Sequence, residues 1–283
     1  MPRIVKIGLV QMRSGADVED NLQRAFAHVG ALAKRGAKIV ALPELFATPY
    51  FCQTRERRFF GLAEPIHGPT TRLLQAMARR HRVVLTTSVY EAARSGRYNT
   101  AVVIERDGRL LGTYRKMHIP DDAANYYGEA YYFKPGDLGV KVFKTSAATI
   151  APLICWDQWF PEGARLAAAA GAQIIIYPTA IGFQLKARPG VNQAEHEAWQ
   201  TIQRAHAIAN GVFVAAVNRV GLDAHLRFWG TSFVADPYGR MLARASTNRE
   251  QDLLVPCDLS LIPKMRKDWP LLAARRIAIK QPS

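Results

Sequence analysis

The stretch "AATIAPLICWDQWFPEGARLAAAAGAQIIIYPT", residues 147–179, decides the fold. Its opening, "AATIAPLICW", is an apolar, β-branched run that reads as a strand reaching Cys155 and Trp156. "PEGARLAAAAG" (161–171) starts on a proline, which suits the first helical position, and stops on a glycine, so it reads as a helix. "AQIIIYPT" (172–179) is a second apolar strand, and the three together form a βαβ unit.

The same alternation runs outward in both directions. Upstream, "IVKIGLVQM" (4–12) is a strand, "DVEDNLQRAFAHVGALAKRG" (17–36) a helix with an apolar stripe through Leu22, Phe26, Val29 and Ala33, and "AKIVALPE" (37–44) a strand. "TTRLLQAMARRH" (70–81) is helical, "RVVLTTSVYE" (82–91) extended, and "RYNTAVVIERDGRLLGTYRK" (97–116) a hairpin turning at Asp107-Gly108. Downstream come a long helix (192–211), the strand "VFVAAVNRVG" (212–221), and strands at 230–239, 240–246 and 252–260. Two βαβ halves with added hairpins, and no Ser/Gly-rich linker between them, indicate one α/β domain over 1–283 with mixed sheets.

Composition narrows the function class. About half of the residues are apolar, enough for a substantial core, and nothing approaches the roughly 18 consecutive apolar residues of a membrane span. The basic, apolar start reads as a buried strand and not a secretory leader, because Lys6 and Gly8 interrupt it. The net charge of +15 is scattered through "RERR" (55–58), "ARRHR" (78–82) and the C-terminal segment, without interleaved aromatics. A solvated basic surface is the expectation, with nucleic acid not an expected partner. Three well-separated cysteines, Cys52, Cys155 and Cys257, show no metal-ligand or disulfide spacing, which fits a reducing cytoplasm and no metal.

Three expected strand ends deliver polar residues: Glu44, Lys116 and Cys155. Singly, each has an ordinary explanation as a loop carboxylate, a surface lysine and a core thiol. Together they converge, because strand ends of an α/β sheet meet at one edge where crevices form.

The set "LPELF" (42–46), "YRKMHIP" (114–120) and "LICWDQWFPE" (153–162), in that order, resembles the Glu, Lys and Cys motifs of the nitrilase (carbon–nitrogen hydrolase) superfamily. The likeness extends through "GLVQM", "EPIHGPTT", "YNTAVVI", "YFKPGD", "IIIYPTAIG" and "GTSFVADPYG"; "YFCQT", "CWDQWFPE" and "RAHAIANGVFVAAVNRVG" are most similar to N-carbamoylputrescine amidases. The resemblance implies a four-layer αββα sandwich of two mixed sheets flanked by helices. It also implies a cytoplasmic, cofactor-free thiol amidohydrolase that is a homo-oligomer, with 260–283 a tail at subunit contacts. In that scheme Cys155 is the nucleophile, Glu44 its base, and Lys116 and the Trp156 N–H the oxyanion donors, with Lys116 favouring the thiolate. Glu129, placed before "PGD", orients the lysine and the substrate.

Relatives that cleave carbamoyl amino acids place a cation just beyond the cysteine. "WDQWFPE" has none, which points to an amine, first of all N-carbamoylputrescine. Acceptors for its ammonium would come from Asp121, Asp122, Asp157 and Glu129, with Tyr126, Tyr127 and Trp156 as aromatic neighbours; Thr179 and Ala180 complete the expected pocket. Trp159 reads as core. The loop after "HIPDD" is longer than usual and the tail differs. Rival readings are a β-ureidopropionase, ω-amidase, aliphatic amidase or nitrilase activity, or a catalytically idle basic binder. His118 supports the lysine or simply packs; His196 and His206, ten apart on the long helix, suit packing or pocket lining better than a metal. Cys52 and Cys257 read as structural.

Overall fold

The computed structural model describes residues 2–277. One sheet has the order Gln251–Asp258, β1 (Ile4–Gln11), β2 (Ile39–Ala41), β3 (Val84–Ala93), β4 (Gly96–Ile104) and β5 (Leu110–Arg115). The second has the order Met241–Arg244, Phe233–Ala235, Phe213–Asn218, Ile174–Thr179, Thr149–Pro152 and Phe143–Lys144. Each has three central parallel strands with antiparallel strands outside them, so both are mixed as expected.

Period-two alternation fixes which face meets which layer. Ile7 and Leu9 of β1 join Ile174, Ile176, Phe213, Ala215 and Val217 in the core between the sheets. Val10 turns the other way, toward Leu22 and Val29 of α1 (Val18–Lys34) and Leu74 and Met77 of α2 (Pro69–His81). On the second sheet, Ile175, Tyr177 and Val214 face α3 (Pro161–Ala169) and α4 (Val191–Asn210), through Ala164, Ala167, Trp199 and Ala207. The layers are therefore helices, sheet, sheet, helices. Gly8 lets α1 approach: a Cβ there would lie 2.9 Å from Leu32 Cδ1.

Several boundaries move. The strand expected to reach Glu44 stops at Ala41, and the one expected to reach Cys155 stops at Pro152. Both residues lie in turns three positions beyond, next to or at left-handed backbone: Leu45 has φ +48° and Cys155 itself φ +42°. Such dihedrals cannot continue a ladder. The segment 230–239 keeps only Phe233–Ala235 extended, because Thr231 (φ +50°) precedes it and Asp236 caps a turn after it. The expected tail begins as core: α5 (Leu261–Asp268) buries Ile262 and Met265. Residues 278–283 of that segment lie outside the described residues. Among the described residues, no helix is long and apolar enough to cross a membrane.

Candidate active site

The turn after β2, the end of β5 and the turn after Thr149–Pro152 carry Glu44, Lys116 and Cys155 to one buried place. Lys116 is fully buried and its Nζ donates to Glu44 Oε1 at 2.8 Å and to Glu129 Oε1 and Oε2 at 2.9 and 2.7 Å. Glu129 also accepts from the Tyr50 hydroxyl at 2.7 Å, and Glu44 Oε1 from Asn99 Nδ2 at 2.7 Å. Glu44 is thus held entirely through one oxygen. Its buried Oε2 has no hydrogen-bond partner among the described residues.

Cys155 opens a 3₁₀ turn, Cys155–Trp159, with Sγ 4.0 Å from the Ala180 carbonyl oxygen. A positive φ at a non-glycine residue is strained and persists where its surroundings enforce it. The Trp156 N–H, next in the chain, has no hydrogen-bond partner among the described residues.

Burial drives the Cys155 thiol well above its ordinary range, Glu44 adds to this, and Lys116 opposes it without prevailing. Lys116 thus pulls Cys155 toward the thiolate, and burial outweighs that pull. Burial works against the charge on Lys116, but Glu129 and Glu44 together hold it cationic. Burial also raises Glu129, against the pull of Lys116.

Asp157 was expected to face substrate and does not. It is buried and accepts four bonds: from Ile154 N (2.9 Å) and the Tyr114 hydroxyl (2.8 Å) on one oxygen, and from His118 N (3.1 Å) and Nδ1 (2.8 Å) on the other. With both oxygens engaged it is a clip joining the cysteine turn to the lysine loop. His118, the second half of that clip, stacks on Phe160 at 3.7 Å.

Tyr127 is likewise a pin, its buried hydroxyl donating to Gly182 O and accepting from Gly182 N. Thr179 Oγ1 donates back to Tyr177 O, while the Ala180 carbonyl does face the cysteine. Asp121 is exposed, paired with Arg55 at 3.4 Å. Asp122 caps the turn Ala123–Asn125, and Tyr126 stacks on His225 at 4.4 Å. Trp156 and Trp159 meet edge-to-face at 6.4 Å. His196 bonds Thr231 Oγ1 and His206 Nε2 donates to Gln158 O, both packing roles. No group of His, Cys, Asp and Glu among the described residues could hold a metal.

Sequence reading missed four contributors. Tyr50 and Asn99, which bond the two carboxylates, lie inside the quoted motifs "YFCQT" and "YNTAVVI". Arg219 is fully buried against the Glu44 turn. Glu195 of α4 is a half-buried carboxylate, raised to about 7 by burial and by the neighbouring charge of Asp122, and its charge in turn reaches Tyr127.

A buried thiol beside a fixed cation and a carboxylate with one free oxygen is the equipment of a thiol-dependent amidohydrolase. Residues 6–267 match the family described as carbon-nitrogen hydrolase, and the chain belongs to that family. It is 40% identical to an N-carbamoylputrescine amidase of Solanum lycopersicum, over 97% of this chain and 93% of that protein. A citrullinase of Francisella tularensis is 36% identical over 96% of this chain and 95% of that one. The crystal structure of a carbon-nitrogen hydrolase from Helicobacter pylori superposes with a TM-score of 0.92 at 38% identity, covering 96% of each chain.

Proposed function

We propose that the chain hydrolyses the carbamoyl C–N bond of an N-carbamoyl amine, N-carbamoylputrescine first, through a covalent intermediate on Cys155. The observation that carries the chemistry is Glu44 Oε2: a buried carboxylate oxygen with no hydrogen-bond partner among the described residues, on a group otherwise pinned by Lys116 and Asn99. It takes the Sγ proton as the thiol attacks the carbonyl, so a thiolate forms only during the reaction. Lys116 Nζ and the Trp156 N–H receive the oxyanion. Protonated Glu44 returns its proton to the departing nitrogen, leaving a thiocarbamate on Cys155. Water, deprotonated by Glu44, then cleaves the thiocarbamate, and Glu44 returns that proton to the departing Cys155 sulfur. The carbamate released breaks down to carbon dioxide and the remaining nitrogen product. Glu129 holds Lys116 in place.

The amine end is supported by the relatives' names and by charge. The Cys155–Trp159 turn holds no cation, whereas Asp122 and Glu195 offer carboxylates near Tyr127. Tyr126 closes the turn that Asp122 caps, and its ring, stacked on His225, is a candidate neighbour for the same cation. We further propose that the chain is a single domain working as a homo-oligomer in the cytoplasm, which size-exclusion chromatography with light scattering tests for the assembly.

Ammonia release from N-carbamoylputrescine, L-citrulline, N-carbamoyl-β-alanine, an ω-amide and a nitrile provides the decisive assay. N-carbamoylputrescine should give the highest kcat/KM, and Cys155→Ala should abolish turnover in a folded protein. A faster carboxylate-bearing substrate would overturn the amine reading; activity retained in Cys155→Ala would overturn the nucleophile.

A further inference from the structure

The motif "VNRVG" contains two consecutive buried polar residues, Asn218 and Arg219, that the reaction scheme leaves unused. They lie where Phe213–Asn218 gives way to Val220–Asp223, and adjacent residues of extended chain point to opposite sides. Asn218 reaches the nucleophile's side. Its Oδ1 accepts from Ile181 N at 3.1 Å, and its Nδ2 donates to Ile181 O at 3.0 Å and Gly230 O at 3.1 Å. Ile181 follows Ala180, whose carbonyl lies against Cys155 Sγ.

Arg219 reaches the base's side. Nε and Nη2 both donate to Glu44 O, at 3.0 and 2.9 Å; Nη2 also reaches Leu45 O, and Nη1 donates to Thr48 O at 2.8 Å. No carboxylate hydrogen-bonds this guanidinium among the described residues. Four bonds to three carbonyls wrap the turn that carries Glu44. From the other direction Leu45 N donates to Ser88 Oγ at 3.0 Å, so the left-handed Leu45 is gripped on both sides. At the end of the next strand, Asp223 Oδ2 accepts from Tyr50 N at 2.8 Å, and Tyr50 bonds Glu129.

Burial weakens the hold of Arg219 on its proton, and the charges of Asp223 and Glu44 offset this only through space, so a stability role alone is a poor reason for a buried guanidinium here. A planar, five-donor fork holds three carbonyls of one turn in a fixed geometry, which a flexible ammonium on its stem does not reproduce. We infer that Asn218-Arg219 is a two-way clamp that sets Glu44 Oε2 against Cys155 Sγ, with Arg219 acting as a positioning residue for the base. This rests on the reading of Glu44 as that base.

The test is a double-mutant cycle of Arg219→Lys with Glu44→Gln. Single-turnover acylation by 4-nitrophenyl acetate is followed at 400 nm under excess enzyme; its leaving group needs no proton, so slow variants remain readable. Arg219→Lys keeps the charge and cannot span the carbonyls. A shift of the order of 1 Å in a catalytic group costs about 10²-fold. Acylation by Arg219→Lys should therefore fall about 10²-fold in the parent, and kcat for the best carbamoyl substrate should fall with KM unchanged. In the Glu44→Gln background the same substitution should cost less than about threefold, since the group being positioned is gone. An equal loss in both backgrounds, or none in the parent, overturns the clamp. Glu44→Gln without effect instead sinks the assignment of the base, a separate failure. Should near-UV circular dichroism show Arg219→Lys unfolded, Ser88→Ala loosens the same turn and must show the same loss, confined to the parent background.

Discussion

Replacing Asp157 by Asn separates a structural clip from a substrate acceptor. The carboxylate accepts from two donors on each oxygen, and among the four are the main-chain N–H groups of Ile154 and His118. An amide can offer one oxygen only. Whichever way it turns, its NH₂ faces a buried main-chain donor, which is left unpaired at about 1–3 kcal/mol, and the surviving bonds lose their charge assistance. With about 1 kcal/mol lost from each of the two surviving bonds, the sum is about 3–5 kcal/mol. For a chain of this size a kcal/mol corresponds to roughly 2–4 °C, so the melting temperature should fall by about 10 °C in a calorimetric or fluorescence scan. Because Ile154 immediately precedes Cys155, kcat should fall as well, on amine-bearing and neutral substrates alike. If Asp157 instead met the substrate ammonium, KM would rise for amines alone and stability would hold. That pattern, with an unchanged melting temperature, would refute the clip.

Two further outcomes follow from titration. Glu195, raised to about 7, must ionise to attract an ammonium, so KM for a cationic carbamoyl amine should rise as pH drops below 7, by up to about tenfold per unit, with no such trend for a neutral amide or for Glu195→Gln. The sign for stability is opposite: with a folded value above its ordinary 4.5, the group favours folding while protonated, an effect complete below about 4.5 and lost through about 7. Glu195→Gln should therefore melt higher than the parent at pH 8 and the same at pH 4. Because burial keeps Cys155 a thiol, inactivation by iodoacetamide should be slow at pH 7 and still climbing at pH 9. A plateau below pH 7, followed by mass spectrometry of the Cys155 peptide, would mean a resting thiolate.

The sequence made legible what depends on periodicity and on residue type. Alternation placed the parallel strands and both helical layers, and the three chemistry-bearing side chains stood out because polar groups at the ends of apolar runs converge. What stayed hidden depends on backbone dihedrals and on partners far along the chain. Nothing in the letters of Leu45 or Cys155 announces a positive φ, yet that geometry moves Glu44 and Cys155 off their strands. Asp157 looked available because an aspartate beside a nucleophile reads as a loop carboxylate; its partner Tyr114 lies 43 residues earlier.

The same reasoning explains how a strongly basic chain can suit a cationic substrate. The charge that governs recognition is the charge within a Debye length, about 8 Å at physiological salt, and not the total of +15. Among the described residues, the cations placed at the centre are already engaged: Lys116 by two carboxylates, Arg219 by main-chain carbonyls. Toward the longer loop Asp121 has Arg55, but Asp122 and Glu195 have no such match among the described residues, and the neighbouring charge that Glu195 feels is Asp122. That imbalance raises the affinity of Glu195 for a proton, and an arriving ammonium would satisfy the same deficit. Binding of the substrate should then lower the proton affinity of Glu195, so proton release on mixing with a cationic carbamoyl amine near pH 7, absent in Glu195→Gln, would be its direct signature.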